Sequence, residues 1–432
     1  MDGTPAGTAT LADHELRYAL SNELHARPFP SLHAPAHAAY LAIKRPHDAA
    51  RDRSADLAHL IDLLDRHGAP HPAPGATHWF GRVGRHDLKW EAHTEFVTYM
   101  LMGTGVAERP FDGTTFSDFP ADWLAQAPGV RVTSALIRIE RHPGDEAIKD
   151  RLQEWFVPES LAASRVIDDA GVIAGDFRID PNGHLRFAVF AHEETGERRV
   201  GRIVQRLCEI ETYKSMSMLG LARARDIGPR LGEIDGRLTA LMCEMDGTDR
   251  PAATLNALLK TSAEVETLLA TTSFRFGATG AYEAIVTQRI AVLREERFGG
   301  RQTFGEFMMR RFDPAMRTVK AAERRLGQMS ERASRAADLL RTRVDVEMSA
   351  GNRDLLASMD RRADAQLRLQ KTVEGLSVVA ISYYAVGLVG YALVPVAEAA
   401  GVARYWFLAA ATPLVILAVW AIIRRIRRDH AD

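Results

Sequence analysis

The sequence predicts an α+β N-terminal domain, then an all-α region with a long stalk helix, and last a two-helix transmembrane hairpin. Three observations carry this. Strand-like and helix-like stretches alternate up to residue 195. From residue 196 onward the apolar spacing is helical only, and near the C-terminus two runs of spanning length contain no charged residue.

The first 195 residues divide into short elements. Leu16, Ala19, Leu20 and Leu24 recur at helical spacing within 14–25, and Arg27-Pro28-Phe29-Pro30 stops that helix. Residues 38–43 read as a strand, and 51–67 as a helix through Leu57, Leu60, Ile61 and Leu64. Residues 77–83 and 88–102 read as two strands joined by the turn Gly84-Arg85-His86-Asp87. A short helix near Ala121, a strand over 130–140 and a helix over 145–156 follow. A hairpin closes the domain, its strands at 171–179 and 184–191 joined by Asp180-Pro181-Asn182-Gly183.

Residues 196–311 form the helical region, with helices expected over 200–225, 229–245, 252–271 and 282–298. Pro229 opens the second of these, and Gly299-Gly300 follows the last. Residues 312–375 form the stalk. Val319, Ala322, Leu326, Met329, Ala333, Ala336 and Leu340 alternate steps of three and four, the seam of a coiled coil. Beyond Leu340, steps of four through Val344, Met348, Leu355, Met359, Ala363 and Leu367 relax or reverse the supercoil. The seam serves either a homo-oligomer or packing against the chain's own helices.

The first span, Leu376 to Val396, has 21 uncharged residues and the second, Tyr405 to Ile423, has 19. At about 1.5 Å per residue each crosses a hydrocarbon core of roughly 30 Å. Arg361, Arg362, Arg368 and Lys371 precede the pair and Arg424, Arg425, Arg427 and Arg428 follow it, whereas the connection holds Arg404 and Glu398. The positive-inside rule then puts both ends, including the basic tail 424–432, on the cytoplasmic side of the inner membrane. The first twelve residues carry no basic and apolar pattern of an export signal.

Composition excludes several classes. With 55 Lys and Arg against 56 Asp and Glu, a chain-wide basic footprint for nucleic acid is not supported. Cys208 and Cys243 are the two cysteines, in no metal or redox motif. No phosphate loop, zincin helix, nucleophile elbow or EF-hand loop occurs. Gly103-Thr104-Gly105 follows a strand, but Glu108 stands where a dinucleotide turn needs its third glycine.

Four sets of residues are candidates for a site. Strand alternation through Lys89–Phe96 puts Glu91, His93 and Glu95 on one polar face. There they could bind a divalent cation or hold a proton carrier, or form a salt-bridged surface with Arg82 and Arg85. His25 and Arg27 cap a helix end or form a binding patch with His33 and His37. Glu209, Glu211, Tyr213 and Lys214 share a helix of mixed character with Met216 and Met218. Within the first span, Ser382, Tyr383, Gly387 and Gly390 supply small and polar groups for helix contact or a pore. The partners expected are therefore the lipid bilayer and further copies of the chain, and the one cofactor suggested is a divalent cation.

The stretches NELHARPFP (22–30), KWEAHTEFVTY (89–99) and EIETYK (209–214), with the paired spans, resemble a bacterial family of predicted membrane-anchored proteins with a domain of unknown function. The resemblance covers nearly the whole chain and implies a location rather than an activity. In layout alone the chain is also similar to CorA-type magnesium channels. Their Gly-Met-Asn signature is absent, because Gly390-Tyr391-Ala392 occupies the comparable position. The reading favoured by these features is a membrane-anchored, oligomeric binding or scaffold module. A divalent-cation channel is the alternative and a metal-dependent enzyme the third reading.

Overall fold

The computed structural model describes residues 13–18, 20–21, 29–46, 52–245, 251–399 and 403–429. His25 and Arg27 lie outside the described residues. The chain divides into two units, Met1–Asp246 with Ala257–Arg335, and Gly247–Asn256 with Ala336–Asp432.

The first unit is built on a nine-stranded sheet in the order β2-β3-β4-β1-β5-β8-β7-β6-β9. The strands are β1 (Ala36–Lys44), β2 (His78–Val83), β3 (His86–Ala92), β4 (Phe96–Thr104), β5 (Val130–Arg141), β6 (Ala162–Val166), β7 (Gly171–Gly175), β8 (Leu185–Ala191) and β9 (Glu296–Arg297). All neighbours are antiparallel except β5 and β8, so the sheet is mixed. Helix α1 (Arg53–Asp65), a 3₁₀ helix (Gly113–Asp118) and α2 (Ala121–Ala125) cover one half of one face. Their Leu60, Leu64, Phe116 and Trp123 pack with Leu41, Leu88, Trp90 and Tyr99 of the sheet. Helix α3 (Asp145–Trp155) covers the other half, its Ile148 and Leu152 packing on Val172, Ala188 and Phe190.

Three long helices follow: α4 (Glu197–Glu244), α5 (Pro251–Leu293) and, after the short α6 (Phe304–Arg311), α7 (Asp313–Ala392). Two breaks expected from the sequence do not occur. Pro229 lies inside α4, although an internal proline costs about 3 kcal/mol. Ile227, Leu231, Ile234 and Leu238 are all buried at helical spacing around it, and their packing outweighs that cost. Helix α5 likewise runs through Gly277 and Gly280, because Thr272, Phe276 and Thr279 are buried along that stretch. Thr279 fits where a Cβ on Gly220 of α4 would stand, so the two helices cross at a glycine.

Two strand boundaries also differ from expectation, and one strand, β6, was not expected. Residues 88–102 are a hairpin rather than one strand. The register pairs Ala92 with Val97, and the His93 amide donates to the Phe96 carbonyl at 2.9 Å, leaving Thr94-Glu95 as the turn. Strand β7 ends at Gly175 because Asp176 turns inward to accept from the Val157 amide and Arg186, and Phe177 follows at φ 53°. Strand β6 shows no alternation to read, since four of its five residues are buried.

The expected seam on α7 serves the chain itself over its first half. Val319, Leu326, Met329 and Ala333 are buried, and Lys320 and Arg332 reach Glu283 of α5 and Asp235 of α4. In the second unit, α7 continues past Ala336, and α8 (Val394–Ala399) and α9 (Arg404–Asp429) follow. Two helices here are long and apolar enough to cross a membrane. Gly390 lies against Leu408, where an added Cβ would stand 3.1 Å from its Cδ2. Ser382 is buried, whereas Tyr383 and Gly387 are exposed.

Candidate functional site

Phe29-Pro30 and strand β3 meet the N-terminal half of α4, which itself carries Glu209–Lys214. Phe29 carries the guanidinium groups of Arg202 and Arg206 at 5.2 and 5.3 Å from its ring centre. The Pro30 carbonyl occupies the place where a side chain at position 201 would begin, so Gly201 is what lets the segment lie on the helix.

Beneath this contact, a polar network joins the sheet to α4. On β3, Lys89 is 4% exposed and its Nζ donates to Gln205 Oε1 at 2.7 Å, with Glu91 at 3.3 Å. Gln205 donates to Glu209, which also pairs with Arg206 and, from α5, Arg289. Glu211 accepts from Thr133, Lys214 and Ser215, and the Tyr40 hydroxyl lies 2.6 Å from that of Thr212. A buried charge is tolerated when it is paired and hydrogen-bonded, and these are. Within the network, burial pushes the Cys208 thiol well up, which makes it inert rather than nucleophilic.

Glu91, His93 and Glu95 do not share one face. Glu91 stays on β3 with Lys89, while His93 flanks and Glu95 forms part of the two-residue turn. Glu95 forms an ion pair with Arg275 of α5, both buried, and accepts a 2.8 Å hydrogen bond from the Tyr282 hydroxyl. Burial, with the Glu95 charge beside it, raises the Tyr282 phenol well above its usual value. The His93 ring stacks on Phe96 with centroids 4.4 Å apart, and Tyr213 and Tyr282 pack at 5.5 Å from each other.

These aromatic groups wall a cleft of about 460 Å³ between the start of α1, the β3–β4 turn, α4 and α5. Trp90, His93, Phe96, Tyr213 and Tyr282 line it, with Arg53 and Leu57 of α1 opposite. Trp90 is 1% exposed and its indole N–H has no partner among the described residues. The volume lies in the range of small-molecule clefts, and Arg53, Thr77, His93 and Thr94 add polar groups to the aromatic walls. Of the residues singled out from the sequence, His93 and Tyr213 line the cleft and Glu95 braces it; Trp90 and Tyr282 were not legible as site residues, being ordinary aromatic positions of a strand and a helix.

Residues 12–430 match the family described as "Protein of unknown function (DUF3422)". The chain belongs to that family. The match spans both the cleft and the apolar helices near the C-terminus, so DUF3422 takes in the whole architecture rather than one part. No curated protein and no solved structure matches the chain. The layout likeness to CorA-type channels gains no support from these comparisons.

Proposed function

We propose that this DUF3422 protein is a membrane-anchored binding module that works as a homo-oligomer, with its bulk in the cytosol and the Trp90–Tyr282 cleft as its ligand site. The observation that carries this reading is α7, one continuous helix of 80 residues. Its first part packs inside the folded unit, its middle part is exposed, and its end is the first apolar span. In the middle part Val346, Met348, Leu355, Met359 and Leu367 are all more than half exposed. Apolar groups repeated along an unsupported helix are buried best by the same helix of another copy. Copies anchored in one membrane present these helices parallel and in register, which favours a second copy over an unrelated partner.

Clusters of Arg and Lys at both cytoplasmic borders support the orientation. Cys243, exposed on α4, supplies the test. A membrane-impermeant maleimide added to sealed inside-out vesicles should label Cys243, whereas intact spheroplasts should leave it unlabelled. Labelling from the outside of spheroplasts would place the folded unit on the opposite side and overturn the reading. The cleft is suited to a planar organic ligand stacked among His93, Phe96 and Tyr213.

A further inference from the structure

A second constellation stands at the opposite end of the same sheet and owes nothing to the cleft. On β1, His37 pairs with Gly103 of β4. The β3–β4 register, Asp87 opposite Met102, continued by one step sets His86 opposite the same glycine from the other side. Two histidines thus flank one glycine across three adjacent strands. A Cβ on Gly103 would lie 2.4 Å from His37 Cε1 and Nε2 and 2.9 Å from His86 Cδ2. The missing side chain is the space into which both imidazoles lean, and their ring centres approach to 5.9 Å although their strands are not neighbours.

The third group arrives from the end of the 3₁₀ helix. Asp118 Oδ2 is 3.1 Å from His86 Nε2 and 3.7 Å from His37 Nε2, and the three atoms lie within 4.8 Å of one another. His37 Nδ1 is 2.9 Å from the Gly105 carbonyl, to which only an N–H can donate. In the neutral ring that bond puts the proton on Nδ1 and leaves Nε2, the nitrogen nearer Asp118, open to ligate, the arrangement that metal-binding histidines have. All three side chains are at least three-quarters buried.

The geometry points to a binding site for a divalent transition-metal ion held by His37 Nε2, His86 Nε2 and Asp118 Oδ2. Ligand atoms each about 2.1 Å from a common ion stand roughly 3 to 3.5 Å apart, so the His86–Asp118 edge of 3.1 Å fits, while the His37–Asp118 edge of 3.7 Å and the imidazole pair must close further. Two imidazoles and one carboxylate select zinc, iron(II) or a similar ion over magnesium or calcium, and leave coordination positions for water or substrate. Arg85 holds the competing place. Its Nε is 3.3 Å from His86 Nε2 and its NH2 is 3.3 Å from Asp118 Oδ1, yet its side chain is 81% exposed and free to swing aside. The site is separate from Glu91, His93 and Glu95, which have other partners.

The test is a Zn²⁺ titration of the full-length, chelator-stripped protein in detergent, with Co²⁺ as a spectroscopic probe. The proposal predicts one Zn²⁺ per chain and a Co²⁺ spectrum with imidazole ligation that Zn²⁺ displaces. His86→Ala and the near-isosteric Asp118→Asn should weaken binding by more than about 100-fold, beyond the roughly 10- to 100-fold that outer-shell changes cost. Arg85→Ala should tighten it several-fold, because a competing cation leaves; a cluster that is only a salt bridge would show no such gain. Should His86→Ala fail to fold, Asp118→Asn and Arg85→Ala decide the matter. No stoichiometric Zn²⁺, or equal affinity in wild type, Asp118→Asn and Arg85→Ala, would overturn the assignment.

Discussion

The Tyr282 hydroxyl donates to Glu95 Oε1 at 2.8 Å, and through that carboxylate the second strand hairpin is tied to α5 and to the buried guanidinium of Arg275. Removing the carboxylate takes an ion-pair partner from Arg275, whose side chain is 5% exposed, and the acceptor from the Tyr282 hydroxyl. Glu95→Ala should therefore cost about 1 to 3 kcal/mol in a chemical melt, while Tyr282→Phe, which removes one hydrogen bond, should cost about 1 kcal/mol. Glu95→Met combined with Arg275→Met should recover most of the loss. Equal melts for Glu95→Ala and wild type would show that the pair contributes nothing.

The α4–α5 crossing gives a second prediction. A Cβ at position 220 would stand 2.1 Å from Thr279 Oγ1. Gly220→Ala should destabilise by about 1 to 3 kcal/mol, the usual cost of overpacking, and Thr279→Ala in the same chain should restore part of it. Additive effects of the two substitutions would mean that the helices do not meet there.

The Asp235 carboxylate is held below the usual range by hydrogen bonds from Arg325 and Arg332 on α7. Its folded pKa is depressed, so its contribution is present above the unfolded value and is lost as the pH falls through the folded one. With the pair partly exposed, the effect is about 1 kcal/mol or less. Wild type should melt above Asp235→Asn at neutral pH, and the two curves should converge in acid below the ordinary carboxylate range. A difference that persists there would not be electrostatic.

Thiol chemistry should separate the two cysteines. Cys208 is buried with its thiol pushed well up, and Cys243 is exposed. An aromatic disulfide reagent should modify one thiol per native chain and the second only after unfolding. Two fast thiols in the native protein would place Cys208 outside the core.

Much of the fold was legible because its signals are long. The uncharged runs after Leu376 and Tyr405 are set by length alone, and β1 and β5 fall where the apolar patterning puts them. What failed to show in the sequence is local or distant. Thr94-Glu95 turns the chain without glycine, asparagine or proline, so Lys89–Phe96 reads as one strand and Glu91, His93 and Glu95 as one face. Pro229 and Gly277 carry breaking signals that tertiary packing overrides. His37, His86 and Asp118 lie on three separate elements, and only the sheet register brings them together at Gly103.

The most direct test of the central claim is the mass of the full-length protein in nanodiscs, measured beside a chain ending at Glu374. Self-association through the exposed part of α7 and the spans predicts a closed assembly of two or more copies for the full-length chain. Changing Leu355 and Met359 to lysine should break it up without altering the fold. A full-length protein that is strictly monomeric would contradict the account and leave the cleft as a site on a solitary anchored chain.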